Sequence, residues 1–346
     1  MGQTFIIAEA GANHNRQWSN ATKLIDAAVE AGADAVKFQT YSSETLYASN
    51  APDFAGYKNI NQLIKDIELP REWQKDLKAY CDEKGIEFMS TPFDEKAVEE
   101  LLDLGVKRMK IAGFESTDPR FVNMVAETKL PIIMSAGIGF WNSYWGSMIK
   151  IFEEHKNHLT LLHCNNAYPT PMEDVYLDSM RSLAGLKCVN AFGFSDHTMS
   201  TLTPALAVAQ GAKVIEKHFT LDRTMKGPDH PFALEPGELK EMVTFIREAE
   251  KVQGSKPGYS DSETKFVNAR RSVVTKIDLK AGEVLTEEHI TTKRPLLEDS
   301  VSAEDYYQII GYPISEDIKA DTPIKRSLIP KFYESQDYED HVPGYN

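Results

Sequence analysis

The chain has 346 residues and carries 38 basic against 52 acidic side chains, a formal net charge of −14, which disfavours nonspecific adhesion to nucleic acid or to an acidic membrane surface. Its length suits one large α/β domain plus a small second one. Cys81, Cys164 and Cys188 form no metal-type spacing, no apolar run reaches the ~18 residues of a membrane span, and Met1-Gly2-Gln3-Thr4 leads straight into a strand pattern, so a cytoplasmic protein without a membrane or nucleic-acid partner is expected.

From Thr4 to about residue 250, short and nearly continuous apolar runs alternate with longer segments of helical spacing. Continuous runs suit strands buried on both faces of a parallel sheet. The pattern predicts strands at Thr4 to Glu9, Ala35 to Gln39, Ile86 to Thr91, Lys107 to Ala112, Pro131 to Ser135, Leu159 to Cys164, Asn190 to Ser195 and Lys213 to Phe219. Between them, Leu77, Tyr80 and Cys81 share one helix face that stops at Gly85; Gly32, Gly105 and Gly211 end other helices, and Asp94 caps the one containing Val98 and Leu101. Eight βα units predict an α/β fold, a closed (β/α)8 TIM barrel over residues 1–253, with an open doubly wound sheet as the alternative.

Residues 254–269 read as a polar linker with turn chemistry. Beyond it the texture changes: a strand at Ser272 to Ile277, a turn at Lys280 to Glu283, a capped short helix at Thr286 to His289 and a further strand region from Gly311 to Ile318. These make a compact β-rich domain over residues 270–332, followed by a polar, aromatic tail at 333–346 that wraps or frays.

In barrels the reactive groups sit where strands run into their βα loops. Strand by strand, those positions hold Glu9 with Asn13 and His14, Lys37 and Gln39, Ser90 and Thr91, Lys110 and Glu115, Ser135, then His163, Asn166 and Tyr168. The last two strands end in Phe194-Ser195-Asp196-His197-Thr198 and Glu216-Lys217-His218-Phe219. A lone histidine after a strand is more often a satisfied core residue; two in matching register after consecutive strands point to a divalent metal at an open site. Lysines inside Val36-Lys37-Phe38 and Met109-Lys110-Ile111 are costly unless paired or bound to a ligand. The structural reading is an ion pair with Glu9 or Glu115; the functional one, with Ser135 and Ser195 at similar depth, is a phosphate or carboxylate site. His14, in Gly11-Ala12-Asn13-His14-Asn15, reads as a buried histidine bonded to backbone.

These segments, together with Ala8 to His14, Ala31 to Gln39, Ser90-Thr91-Pro92-Phe93-Asp94, Leu161-Leu162-His163-Cys164 and Tyr168-Pro169-Thr170-Pro171, resemble the sialic acid (N-acetylneuraminate) synthase or nonulosonate synthase family. The C-terminal part resembles that family's antifreeze-like (SAF) domain through Arg271-Ser272-Val273 and Lys293-Arg294-Pro295. The resemblance implies a metal-dependent transferase that condenses phosphoenolpyruvate with an open-chain N-acetylated amino sugar and releases phosphate. It implies Lys37, Thr91, Lys110, Ser135, Asn166 and Ser195 around phosphoenolpyruvate, and Mn2+ or Mg2+ on His197 and His218. Glu9 is then catalytic with the two histidines, and Gln39, Tyr168, Asp229 and Arg294 face the sugar. A domain-swapped homodimer is also implied, the C-terminal domain capping the partner's barrel. The chain departs from the family pattern at Gly113, usually serine, at Arg16, usually glycine, and at Arg270, which stands where neuraminate-forming relatives have an aromatic residue. The acceptor is therefore N-acetylmannosamine or a 2,4-diacetamido-trideoxyhexose.

Other readings weigh less. A Schiff-base aldolase would use Lys37 or Lys110 as nucleophile, but strand six lacks a lysine. A related phosphoenolpyruvate-condensing enzyme for sugar phosphates needs more basic residues at the mouth. A carbohydrate-binding protein on a degenerate barrel would have lost some of Glu9, the two lysines and the two histidines, and all are present.

Overall fold

A computed structural model describes residues 2–53, 58–138, 145–254 and 256–335. The chain divides into two compact units, Met1–Gln253 and Gly254–Asn346.

The first unit is an eight-stranded parallel sheet in the order β3-β2-β1-β8-β7-β6-β5-β4. Its strands are β1 (Phe5–Gly11), β2 (Ala35–Thr40), β3 (Glu87–Pro92), β4 (Met109–Ile111), β5 (Ile132–Ala136), β6 (Leu159–Cys164), β7 (Val189–Asp196) and β8 (Val214–His218). Because β1 pairs with both β2 and β8, the first and last strands are joined. β3 and β4 lie side by side as the seam of the ring. This is the (β/α)8 barrel of the sequence reading, each strand displaced by two residues or fewer at either end.

The helices are α1 (Trp18–Ala31), α2 (Ile60–Ile67), α3 (Gln74–Lys84), α4 (Glu95–Asp103), α5 (Pro119–Glu127), α6 (Trp145–His155), α7 (Thr203–Ala209) and α8 (Pro236–Val252). Their ends follow local chemistry. Gly32 and Gly85 close α1 and α3 in the left-handed conformation, and the Asp94 carboxylate accepts from Ala97 N at the start of α4. Between β6 and β7 a 3-10 turn, Leu177–Gly185, replaces the helix.

Alternation along each strand sends one set of side chains into the helix layer and the other into the barrel. Ile7, Ala35, Met89, Ile133, Leu162 and Val214 form a packed apolar layer of their own, and the polar residues follow it on the same faces two positions on: Ile7 then Glu9, Ala35 then Lys37, Val214 then Glu216. The site thus stands on a filled floor. On the opposite face, Lys217 of β8 pairs with Asp196 of β7 at 2.7 Å and donates to Thr198 O, so its buried charge is satisfied structurally.

The second unit has one regular ladder, β9 (Ser272–Thr275) antiparallel to β10 (Ile290–Lys293), around a core that includes Val273, Leu285, Ile290, Val301, Ile309 and Ile324. A short helix, α9 (Pro330–Ser335), buries Phe332 in that core. Two expectations are corrected. Thr286 to His289 is a single turn, closed by His289 N to Thr286 O at 3.1 Å, and no helix continues it because β10 begins at Ile290. Gly311 to Ile318 makes only isolated bridges, Val284 with Pro313 and Leu279 with Ile318, since Pro313 has no N–H to extend a ladder. The linker ends in a 3-10 turn, Thr264–Ala269. Of the expected tail, residues 336–346 lie outside the described residues.

Candidate active site

Glu9 is in register with Lys37 on one side and with His218 on the other. Three neighbouring strands therefore deliver a carboxyl, an ammonium and an imidazole at one depth. Lys37 Nζ lies 3.0 Å from Glu9 Oε2 and 3.3 Å from Glu216 Oε2, and donates to Thr91 Oγ1 at 2.8 Å. Lys110 Nζ donates to Ser135 Oγ at 2.8 Å and to Ile111 O at 3.0 Å, and lies 3.6 Å from Glu216 Oε1. Ser195 Oγ donates to Glu216 Oε1 at 3.0 Å. Gln39 Nε2 donates to Glu9 Oε1 at 2.7 Å. All the charged groups here are nearly inaccessible to solvent.

Burial without full pairing shifts these groups. Desolvation pushes Glu9 up to about 7 despite Lys37, and the Glu216 charge adds to the rise. Burial also opposes ionisation of Glu216, but Lys110 and Lys37 outweigh it and hold that carboxylate low. Lys110 is lowered by burial; Lys37 resists burial because Glu216 and Glu9 raise it. Glu9 Oε2 and Glu216 Oε2 have no aligned hydrogen bond. The cluster sets two lysine nitrogens against two carboxylates, with Glu216 between Lys37 and Lys110.

His197 and His218 lie side by side, ring centroids 5.4 Å apart, with Tyr168 over His197 at 4.2 Å. Burial holds His197 down at about 4 and His218 well below its usual range, so both are neutral at physiological pH. His197 Nδ1 is 2.6 Å from Asn165 O; that bond assigns the proton to Nδ1 and leaves the Nε2 lone pair. His218 Nδ1 is buried without a hydrogen-bond partner, 4.0 Å from Asp229 Oδ2. Two neutral imidazoles, one with an orphaned nitrogen, fit a divalent metal at an open site whose other ligands are oxygens. Among the described residues no group of three or more His, Cys, Asp or Glu is arranged to hold a metal by itself. The protein would thus supply two nitrogens and leave the remaining positions to substrate and water.

Above this floor opens a cavity of about 540 Å³ lined by Gln39, Glu115, Asn166, Tyr168, His218 and Asp229, and by apolar side chains of the β2–α3 connection. Gly11 ends β1 at φ +50, and a Cβ there would stand 2.7 Å from Asp229 Oδ2, so the turn needs glycine for both conformation and space. Asn166 Oδ1 accepts from Ile138 N at 2.8 Å. Its amide fills the space beside two glycines: a Cβ on Gly113 would lie 2.9 Å from Nδ2, and one on Gly137 2.1 Å from Oδ1. The Gly113 departure is thus occupied by Asn166.

The first unit brings together Glu9, Lys37, Gln39, Thr91, Lys110, Ser135, Asn166, Tyr168, Ser195, His197, His218 and Asp229. Arg294 lies just after β10 in the second unit, where it is exposed. Arg270 is tied within that unit to Glu304 at 2.5 Å and to the Tyr259 hydroxyl at 3.0 Å. Arg16 adopts φ +52, the conformation that favours glycine, and donates to Lys65 O at 2.8 Å. His163 is corrected: it bonds Val175 O at 2.6 Å and stacks on Phe194 in the helix layer, away from the site. His14 is structural, its Nδ1 accepting from Arg16 N. The Glu115 partnership for Lys110 is also corrected, because Glu216 takes that place. Sequence reasoning missed Glu216 as a site residue; the signal was its position two residues before His218, on the same face of β8.

A sequence model described as the NeuB family matches residues 24–258, and one described as the SAF domain matches residues 270–329. The N,N'-diacetyllegionaminic acid synthase of Legionella pneumophila is 38% identical over 342 residues, covering 92% of this chain and 93% of its own. A pseudaminic acid synthase of Campylobacter jejuni is 36% identical over 336 residues, covering 94% and 96%. Among solved structures, the N-acetylneuraminic acid synthetase of Leptospira borgpetersenii, in complex with citrate, aligns with a TM-score of 0.70 at 33% identity over 78% of this chain and 91% of that one.

Proposed function

The chain belongs to the NeuB family, and from that premise we propose that it joins phosphoenolpyruvate to an N-acetylated amino-sugar aldehyde, giving a nonulosonic acid and inorganic phosphate. The observation that carries this reading is the juxtaposition of two buried lysines with two neutral histidines at one barrel mouth, which would give an anion site beside a metal site. The Lys37 and Lys110 ammonium groups, with Ser135, Ser195, Thr91 and Asn166, would hold the phosphate and carboxylate of the enol donor. The geometry supports that placement: the Lys37 and Lys110 nitrogens donate to Thr91 and Ser135 at the foot of the mouth, where an anion would meet both.

His197 and His218 would hold Mn2+ or Mg2+. Such an ion supplies Lewis-acid polarisation of the aldehyde oxygen. Gln39, Tyr168 and Asp229 line the acceptor side and would orient its hydroxyl and acetamido groups. C3 of the enol forms the new bond to the aldehyde carbon, whose oxygen takes a proton. Water adds at C2, its proton departs, and phosphate leaves with cleavage of the C–O bond. Glu9, raised to about 7 and lacking an aligned partner for Oε2, is suited to carry one of these protons.

The second unit, matched by the SAF model, we place over the barrel mouth of a second copy in a domain-swapped dimer. There Arg294 would reach the sugar; Arg294→Ala would then raise KM for the sugar well beyond that for phosphoenolpyruvate. Among the described residues no helix is long and apolar enough to cross a membrane, which accords with an enzyme acting on soluble metabolites. The test is phosphate release by purified protein given phosphoenolpyruvate, Mn2+ and free N-acetylated hexosamines. Release with a subset of acceptors supports the reading, and no release with any acceptor refutes it.

A further inference from the structure

The two histidines of the mouth are held by different means. His197 is oriented through its Nδ1 bond to Asn165 O at 2.6 Å, whereas His218 Nδ1 is buried without a hydrogen-bond partner among the described residues. The His218 ring is surrounded by other rings instead. Phe232 meets it edge to face, with centroids 5.2 Å apart and an interplanar angle of 69°, and Tyr168 lies 6.0 Å away at 87°. Phe232 also packs on Tyr168 at 5.2 Å, Tyr168 on His197 at 4.2 Å and His197 on His218 at 5.4 Å, so four rings close into one cycle. Tilted and edge-to-face pairs at such separations attract as well as fill space.

A core phenylalanine that only fills space would pack in the helix layer, as Phe219 and Leu234 do on either side of this loop. Phe232 is 4% exposed and lines the cavity, and among the described residues it belongs to none of the apolar clusters of the first unit. Its backbone is tied to the strand that carries His218. Leu234 N donates to His218 O at 3.0 Å, Thr220 N donates to Leu234 O at 2.9 Å, and Arg223 Nε donates to Ala233 O at 2.9 Å. The turn that presents the ring, His230–Phe232, is fixed at its start by the 2.6 Å contact between the buried His230 Nδ1 and Thr220 Oγ1.

Resting on the synthase reading above, we propose that Phe232 is a positioning residue for the metal-binding imidazole: its ring sets the orientation of His218 as the Asn165 carbonyl sets that of His197. Packed in this way, the His218 ring stays 4.0 Å from Asp229 Oδ2. An imidazole free to turn would gain a hydrogen bond by closing on that carboxylate, and the two histidines would no longer face one site. Ordering a rotor is also a cost of binding, and packing the ring in advance removes it.

The experiment measures Mn2+ binding to the full chain by loss of the free-ion electron paramagnetic resonance signal, in the parent, Phe232→Ala, Phe232→Leu and Phe232→Tyr. Phosphoenolpyruvate binding is measured beside it, by calorimetry in chelator. Removing a group that orients a metal-binding histidine weakens the metal by roughly 10- to 100-fold, so Kd for Mn2+ should rise at least about tenfold in Phe232→Ala and Phe232→Leu. Phe232→Tyr keeps the ring and should bind Mn2+ more tightly than Phe232→Leu, while phosphoenolpyruvate affinity stays at the parent's value in all three. Phe232→Leu keeps most of the side-chain volume and carries the test if Phe232→Ala does not fold. Unchanged Mn2+ affinity in the leucine variant, no advantage of tyrosine over leucine, or an equal loss of phosphoenolpyruvate affinity overturns the assignment. Phosphate release by the parent, assayed in the same preparation, shows that the synthase reading survives such a result. A parent that binds no Mn2+ removes both the two-histidine site and the role of Phe232.

Discussion

The Glu216 carboxylate stands 3.3 Å from the Lys37 ammonium, both groups nearly sealed from water. The same carboxylate reaches Lys110 at 3.6 Å and accepts from Ser195. It therefore does within the protein what an anionic ligand would do from outside. Glu216→Gln leaves two buried ammonium groups with less compensation, which should cost on the order of 3 kcal/mol of stability. An anion that replaces the lost charge should recover part of it. The expected outcome is a larger rise in Tm on adding phosphoenolpyruvate to the variant than to the parent; an equal or smaller rise would mean that Glu216 does not share its lysines with the ligand.

Asn166 occupies the space beside Gly113 and Gly137, and the two gaps differ. A Cβ at 137 would stand 2.1 Å from Oδ1, against 2.9 Å from Nδ2 for one at 113. Gly137→Ala must displace the amide, whereas Gly113→Ala requires a shift of a few tenths of an ångström. KM for phosphoenolpyruvate should rise about tenfold or more in Gly137→Ala and clearly less in Gly113→Ala. The reverse order would detach Asn166 from the donor site.

Burial, aided by the nearby charges of Arg16 and His230, holds His14 down at about 4. The unfolded chain takes up this proton near 6.5 and the folded chain only near 4. Stability from this group is thus complete above pH 6.5 and is lost as pH falls toward 4, at roughly 1.4 kcal/mol per pH unit. His14→Gln retains an acceptor for Arg16 N, so denaturant unfolding of the variant between pH 4.5 and 6.5 should show a flatter pH slope by about that amount. An unchanged slope would place the His14 proton differently.

Removal of divalent ions should abolish turnover, and Mn2+ should restore it. The same ion should bind the parent in a spectroscopic titration and fail to bind His218→Ala, whose fold should survive because His218 lines the cavity. Full activity in chelator, or equal Mn2+ binding by the variant, would refute the two-histidine assignment.

Much of the site was legible because strand alternation is strict. His197 and His218 end consecutive strands, and Lys37 and Lys110 interrupt runs otherwise too apolar to carry charge. Partners across the barrel were harder to read. Glu216 pairs with lysines 179 and 106 positions earlier in the chain, and no local pattern announces such a meeting. His163 misleads for the opposite reason: its strand is buried on both faces, so alternation alone does not say which face is the barrel. Ile60, Leu63, Ile64 and Ile67 have the spacing of an ordinary core helix, and only the folded chain shows Leu63 and Ile67 lining the mouth. In the second unit, short bridged segments around Pro313 and Pro323 have apolar content without the length or alternation of strands.

The account rests on carbon–carbon bond formation at C3 of phosphoenolpyruvate with loss of phosphate by C–O cleavage. Phosphoenolpyruvate carrying 18O in its bridging oxygen, turned over with the N-acetylated amino-sugar acceptor that supports phosphate release and with Mn2+, tests it most directly by mass analysis of the phosphate. The predicted result is acceptor-dependent phosphate that retains the bridging label; phosphate without the label, or none released in the presence of acceptor, would contradict it.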